Sequence, residues 1–397
     1  MGELQRNRLR IAFVCDTIQG ELGGGVVAAR HFVDQLRKEH DVTVVGSDAY
    51  GDSQMRMAGF QLPLDSMKKM SFVMSRPDRH KLDEVMHGVD LVHLQMPFWL
   101  SFAARAAAER AGKPVVAAFH VQPENALMNI GVRSSLLHDA LYRLWIDGLY
   151  NHATAVICPT SFAERKLRAH GLSAPTFVLS NGVPADVLPM RARAQKPAEL
   201  VDKIVVLCVG RLAAEKRQDQ LIEAVARSRY RDRIHLVLAG GGPREEALRR
   251  QMDEAGIEGE VGFVSRERLL HLFTLADLMV HPSEVELEGI AVLEAMRIGL
   301  PALVADGPET AAGELAASDA FRFRAGDLES LTDKLDELLD APALVEAARV
   351  IVRDRASSAT LDVAASRLSS LYRAIVRKPA ALPDRRQLSA PGQREAA

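Results

Sequence analysis

The feature that most constrains this chain is a rhythm. A short unbroken apolar run ends in glycine or polar residues, an amphipathic stretch of helical period follows, and the pattern starts again. LRIAFVC (9–15), DVTVVG (41–46), VDLVHLQ (89–95) and KPVVAAF (113–119) are such runs in the first half; KIVVLCVG (203–210), RIHLVLAG (233–240), LADLMVH (275–281) and PALVADG (301–307) follow in the second. Runs this short and apolar throughout, separated by helices, suit strands of parallel sheets covered on both faces. The rhythm breaks once, where Pro184, Pro189 and Pro197 stand among arginines with little apolar content. A chain of 397 residues also exceeds one ordinary core. The expectation is two Rossmann-like α/β domains, 1–185 and 201–360, joined by a linker at 186–200. A last amphipathic helix is expected at 361–378, and a polar, proline-rich tail at 379–397 is expected to be disordered.

Composition removes several classes of function. With a net charge of -2 there is no basic excess to meet nucleic acid. No run approaches the roughly 18 to 20 apolar residues that span a bilayer, and the start MGELQRNRLR lacks the apolar core of a secretion signal. A cytoplasmic protein is expected. Cys15, Cys158 and Cys208 each sit in or at the end of a strand-like run, which reads as buried thiols rather than a disulfide or a metal site.

The chemistry concentrates in 281–301, HPSEVELEGIAVLEAMRIGLP. A strand ends at His281, an acidic turn carries Glu284, Glu286 and Glu288, and a helical pattern starts at Gly289. Ile290, Leu293, Ala295 and Met296 form its apolar face, and Gly299 with Pro301 closes it. A strand, a glycine turn and a helix N-terminus together offer backbone N–H groups to an anion. Carboxylates near a helix start also simply favour the macrodipole, so the residues alone leave both readings open. Earlier in the same half, the strand ending at Gly210 leads to Arg211 and Lys216. By themselves these could serve a solvated helix face, with Lys216 pairing Glu215 or Asp219.

In the first half, Gly23, Gly24 and Gly25 lie at a strand-to-helix junction, where they would let backbone approach a ligand or merely form a flexible turn. The spacing is not the dinucleotide fingerprint, which disfavours a nicotinamide dehydrogenase. His120 ends a strand and is followed by Gln122, Glu124 and Asn125; His93 and Gln95 end the strand before it. Ligands of open α/β sheets bind beyond the carboxyl ends of strands. Between these, Met67, Met70, Phe72 and Met74 interleave with Lys68, Lys69, Arg76, Arg79, His80 and Lys81. That mixture suits anionic lipid headgroups, or an excursion packed on its own domain with a solvated basic edge.

Pro282, Ser283, Glu286, Gly289 and Glu294, together with the G-R-L-x-x-E-K segment of Gly210, Arg211 and Lys216, resemble the signature of retaining glycosyltransferases of family four, which have the GT-B fold. The resemblance extends over nearly all of 9–378. It implies that Glu286 faces the donor sugar, that Gly210, Gly289, Ile290 and Ala291 lie against the diphosphate with Arg211 and Lys216, and that Glu294 takes the ribose hydroxyls. It further implies that backbone near Val264 meets the nucleobase, with Arg266 a looser candidate. His120 would contact the donor sugar, and Gly24 and Gly25 would border the donor phosphate and acceptor. Glu288 stands where the family most often has an aromatic residue, which leaves the sugar open.

A nucleoside diphosphate gains negative charge as it departs, and something must neutralise it. Enzymes with Asp-x-Asp use a metal, but the sequence contains no Asp-x-Asp. An arginine fork, a lysine and a helix N-terminus can do the same. The resemblance thus implies a metal-independent, retaining enzyme with a nucleotide-sugar donor, UDP-linked by expectation. A lipid or lipid-linked saccharide acceptor and a peripheral contact with the inner membrane face are expected, with a soluble acceptor, or a binding protein or epimerase without transfer, as alternatives.

Overall fold

The computed structural model describes residues 8–19, 24–61, 73–128, 131–132, 134–187 and 194–377. The chain forms two compact units, one made of Met1–Asn181 with Leu361–Ala397 and the other of Gly182–Thr360.

In the first unit, β1 (Arg10–Val14), β2 (Asp41–Gly46) and β3 (Gln54–Arg56) join β6 (Leu91–Leu94), β7 (Val115–Ala118), β8 (Ala155–Cys158) and β9 (Thr176–Val178). The sheet runs β3-β2-β1-β6-β7-β8-β9, every neighbour parallel. All residues of β6, β7 and β8 are buried, which is why these strands read as continuous apolar runs rather than alternating ones. Helices α1 (Gly24–Leu36), α2 (Arg79–Gly88), α3 (Trp99–Arg110), α4 (Pro123–Met128), α5 (Ser135–Gly148) and α6 (Ser161–Ala169) connect them.

A two-stranded antiparallel pair, β4 (Ala58–Phe60) with β5 (Met74–Arg76), flanks the basic, methionine-rich stretch. Met67, Lys68, Lys69, Met70 and Phe72 lie outside the described residues. The part of that stretch from Arg79 on is helix α2, started by Asp78, whose side chain accepts from the Lys81 N–H.

The second unit holds β10 (Ile204–Val209), β11 (Ile234–Ala239), β12 (Gly259–Gly262), β13 (Leu278–His281), β14 (Ala302–Asp306) and β15 (Arg322–Arg324), in the order β12-β11-β10-β13-β14-β15 and all parallel. Its helices are α7 (Gln218–Arg227), α8 (Glu245–Glu254), α9 (Arg266–Leu275), α10 (Ile290–Ile298), α11 (Leu328–Asp340) and α12 (Pro342–Ala356). Residues 194–200, expected as linker, are instead built into this unit. Ala194 N–H donates to Thr274 O at 3.3 Å, Lys196 Nζ to Asp277 Oδ2 at 2.7 Å, and Leu200 is buried in the core. Proline and arginine density there hid two anchors, one charged and one apolar.

The last helix, α13 (Leu361–Arg377), belongs to the first unit, where Leu368, Leu371, Tyr372 and Ile375 share a core with Ile11, Phe13, Val33 and Leu91. The two ends of the second unit's stretch of chain meet: Val183 N–H donates to Ala359 O at 2.8 Å, and Val183 bridges Thr360. The three cysteines are buried free thiols. In each sheet the winding reverses at a central pair, β1 beside β6 and β10 beside β13. Ligands of such sheets sit beyond the carboxyl ends at that reversal.

Candidate active site

Beyond β10 and β13 the second unit gathers the charged residues singled out in the sequence. Gly210 follows β10 and Arg211 comes next; Ala214–Lys216 is one 3-10 turn, and Arg217 takes the left-handed conformation (φ 50°) before α7. The acidic turn after β13 is stitched to this loop by backbone, since Glu284 N–H donates to Glu215 O at 3.0 Å. From the other side, Gly240 and Gly242 let the turn after β11 approach the same loop. A Cβ on Gly240 would lie 2.0 Å from Gly210 O, and one on Gly242 2.4 Å from Leu212 O, so only glycine lets these backbones meet.

Across the reversal, Lys216 Nζ donates to Glu286 Oε2 at 2.6 Å, and His281 Nε2 lies 3.1 Å from the same oxygen. Arg211 pairs the fully buried Glu215, and Arg217 pairs Glu284. Lys216 thus pairs neither Glu215 nor Asp219, the partners a purely local reading suggested. Burial pushes the Glu286 carboxyl up, but the Lys216 ammonium and the His281 ring outweigh it and hold the group well below the usual carboxylate range. Glu286 is therefore an anion at any physiological pH, suited to stabilising positive charge and unsuited to donating a proton.

Gly289, at φ 81°, caps α10 without a side chain, and Gly299 closes it at φ 94°. In any helix the first-turn N–H groups lack acceptors within the helix, here those headed by Ile290 and Ala291. They lie one turn from Glu286, whose Cγ would be 3.8 Å from a Cβ on Gly289. Further along α10, Glu294 is buried and accepts from Arg266 Nη1 at 2.8 Å. Arg266 also grips Asp186 through two bonds, at 2.8 and 3.0 Å. Val264 follows β12, packed on the core between the exposed Phe263 and Ser265, the N-cap of α9.

In the first unit Gly24 begins α1, and Gly25 lies against His120: a Cβ on Gly25 would be 3.5 Å from His120 Cβ. Burial, then the nearby His93, push the His120 ring down to about 3, so it is a neutral hydrogen-bonding group at pH 7. His93 and Gln95 are buried, and they support the glycine loop. Gln95 Nε2 donates to Gly25 O at 3.3 Å, His93 Nε2 meets Gln95 Oε1 at 2.9 Å, and Tyr372 OH meets His93 Nδ1 at 2.7 Å. With the amide donating to Gly25, its oxygen accepts from Nε2–H, and Nδ1 accepts from the Tyr372 hydroxyl. Burial holds His93 neutral, at about 4. Glu124 is likewise tied down, by the Tyr142 hydroxyl at 3.0 Å and Lys166 at 3.1 Å.

Comparison with known proteins gives the family. The model described as Glycosyltransferase Family 4 matches residues 22–187, and that for glycosyl transferases group 1 matches 190–355. The chain belongs to the family 4 glycosyltransferases. A GDP-mannose-dependent alpha-mannosyltransferase of Corynebacterium glutamicum is 27% identical over 74% of this chain and 72% of its own length. A GDP-mannose-dependent alpha-(1-6)-phosphatidylinositol monomannoside mannosyltransferase of Mycolicibacterium smegmatis is 28% identical over 78% of this chain and 84% of its own. The fold is GT-B: Anabaena HepE, solved with UDP-glucose, superposes with a TM-score of 0.72 at 19% identity, covering 91% of this chain and 98% of that one.

Within this glycosyltransferase, sequence reasoning passed over three structural features. His281 was read only as a strand end, and Arg217 drew no notice because its left-handed backbone leaves no mark in composition. The third is Trp99, which packs on the β4–β5 pair. Trp99 is 64% exposed and tilts against Phe60 at 5.9 Å between ring centroids, with the Arg76 guanidinium 5.4 Å from the Phe60 ring. No helix among the described residues is long and apolar enough to cross a membrane.

Proposed function

We propose that this glycosyltransferase moves a hexosyl group from a nucleoside diphosphate sugar to a lipid or lipid-linked saccharide at the inner membrane face, with retention and without a divalent ion. The observation that carries the reading is the Arg211, Lys216 and Glu286 cluster beside the N-terminus of α10. Lys216 can pass from Glu286 to a phosphate oxygen as charge grows on the leaving group, and Arg211 and the α10 N–H groups share that charge. Glu286, held ionised, then faces the positive anomeric carbon. The C1–O bond breaks with its electron pair going to the diphosphate; the acceptor oxygen attacks from the same face, and its proton goes to a phosphate oxygen. Glu294 takes the ribose hydroxyls.

The sequence suggested a uridine donor, but the two relatives above are named for GDP-mannose, and a GDP-hexose is the donor we favour. The lipid acceptor is supported by the second relative's phosphatidylinositol monomannoside and by the exposed Trp99 and Arg76 on either side of the half-buried Phe60, whose aromatic and cationic makeup fits an anionic lipid surface.

The test is transfer from labelled GDP-mannose, GDP-glucose and UDP-glucose, in chelator, to lipid extract in vesicles and to soluble oligosaccharides. The expected result is label in the lipid phase, a product anomer matching the donor's, and a loss of about 100-fold or more in kcat for Lys216→Met. Loss of activity in chelator, the opposite anomer, or transfer to soluble sugars alone would each overturn the corresponding part.

A further inference from the structure

We infer that Arg266 is a positioning residue for nucleotide binding, which aims the Glu294 carboxylate at a ribose diol while itself anchored by Asp186. The inference rests on the proposed role of Glu294 and goes beyond it.

Arg266 is the first residue of α9 and its side chain is 39% exposed, yet its head reaches inward to a carboxylate that is 7% exposed. Its guanidinium divides its donors between two elements. Nε and Nη2 hold both oxygens of Asp186, and Nη1 alone reaches Glu294 Oε1. A carboxylate accepts about four hydrogen bonds, and Glu294 receives one from the described residues, to Oε1. Oε2 and a lone pair of Oε1 are thereby left for two further donors, as a vicinal diol provides. Full occupation by arginine would have closed the site, whereas one bond sets the direction of the carboxylate and leaves it open.

The same segment is tied to α10 a second time. Arg297, one turn beyond Glu294, donates through Nε to Val187 O at 3.0 Å, next to Asp186. The helix carrying Glu294 and the segment carrying Asp186 are thus fixed to each other independently of Arg266, so Asp186 is a stationary anchor for the guanidinium. A surface ion pair with no further task would need neither the buried partner nor the second tie.

The experiment compares GDP and UDP with their 2′-deoxy counterparts by calorimetric titration on the full chain, using whichever base the wild type binds. Wild type should prefer the ribonucleotide by about tenfold or more. Arg266→Met should raise the ribonucleotide Kd by about tenfold while moving the deoxynucleotide Kd less than about twofold, and Arg266→Lys should recover part of the loss. Asp186→Asn, which loosens the anchor without removing the arginine, should give the same pattern more weakly and guards against a folding defect in the first variant. Equal weakening of both nucleotides would overturn the inference, since a plain structural loss would not distinguish them. A wild type blind to the 2′-hydroxyl would instead remove the ribose role of Glu294 itself.

Discussion

Asp16 stands two residues after the end of β1 in the first unit, almost fully buried. Its Oδ1 accepts from the Ser75 N–H at 2.9 Å, and its Oδ2 has no partner among the described residues. Burial raises the carboxyl to about 7. For an acid raised on folding the sign is definite: between the ordinary carboxylate range and about 7 the unfolded chain has lost the proton and the folded one keeps it, so stability falls as pH rises through that window. Asp16→Asn, which keeps the acceptor for Ser75, should stabilise the protein more at pH 8 than at pH 5, by about 2 to 3 kcal/mol in urea unfolding. A gain independent of pH would contradict the assignment. At this scale the sequence revealed identities better than partners. Lys216 and Glu286 were both legible as site residues, but their pairing spans 70 positions and is set by β10 lying beside β13, which no local spacing encodes.

Helix α10 shows what is legible at the scale of the element. Its glycine start, apolar face and glycine stop are all written in 289–299, and both glycines adopt the left-handed conformation those positions call for. Gly289→Ala tests how far the site depends on it. The new methyl would sit 3.3 Å from Leu315 Cδ1 at a φ that alanine adopts at a cost of about 1 to 2 kcal/mol, so the cap and its N–H groups should shift. The expected result is that loss of stability with nucleotide affinity reduced about tenfold; affinity unchanged in a destabilised variant would separate α10 from the diphosphate. Strands buried on both faces were equally plain. Helix α12 was not, because it exposes Leu344, Val350 and Ile351 while burying Ala348, Val352 and Ala356, and an apolar pattern on two sides has no readable face. Helix α2 was lost among basic residues whose charges face outward, with Leu82, Val85 and Met86 as its buried side.

Over the whole molecule, the two units have separate cores, and α13 makes the first of them discontinuous in sequence. The proposed nucleotide groups, Arg211, Lys216, Gly289 and Glu294, all lie in Gly182–Thr360, whereas the two tryptophans, Trp99 and Trp145, both lie in the first unit. Tryptophan fluorescence therefore follows the unfolding of one unit and calorimetry that of both. A ligand that binds the folded form at about 100 times its Kd adds about 2.7 kcal/mol, which for a unit of this size raises its midpoint by about 5 to 10 °C. Saturating nucleotide should thus move a calorimetric transition by that amount and leave the fluorescence midpoint within about 2 °C of its ligand-free value. Truncation after Thr360, which strips Tyr372 from His93 and Leu368 and Leu371 from the core, should abolish the fluorescence transition and leave the nucleotide-sensitive one in place. If nucleotide moved both signals together, the units would unfold as one, and the assignment of each core to its own stretch of chain would no longer describe the protein's stability.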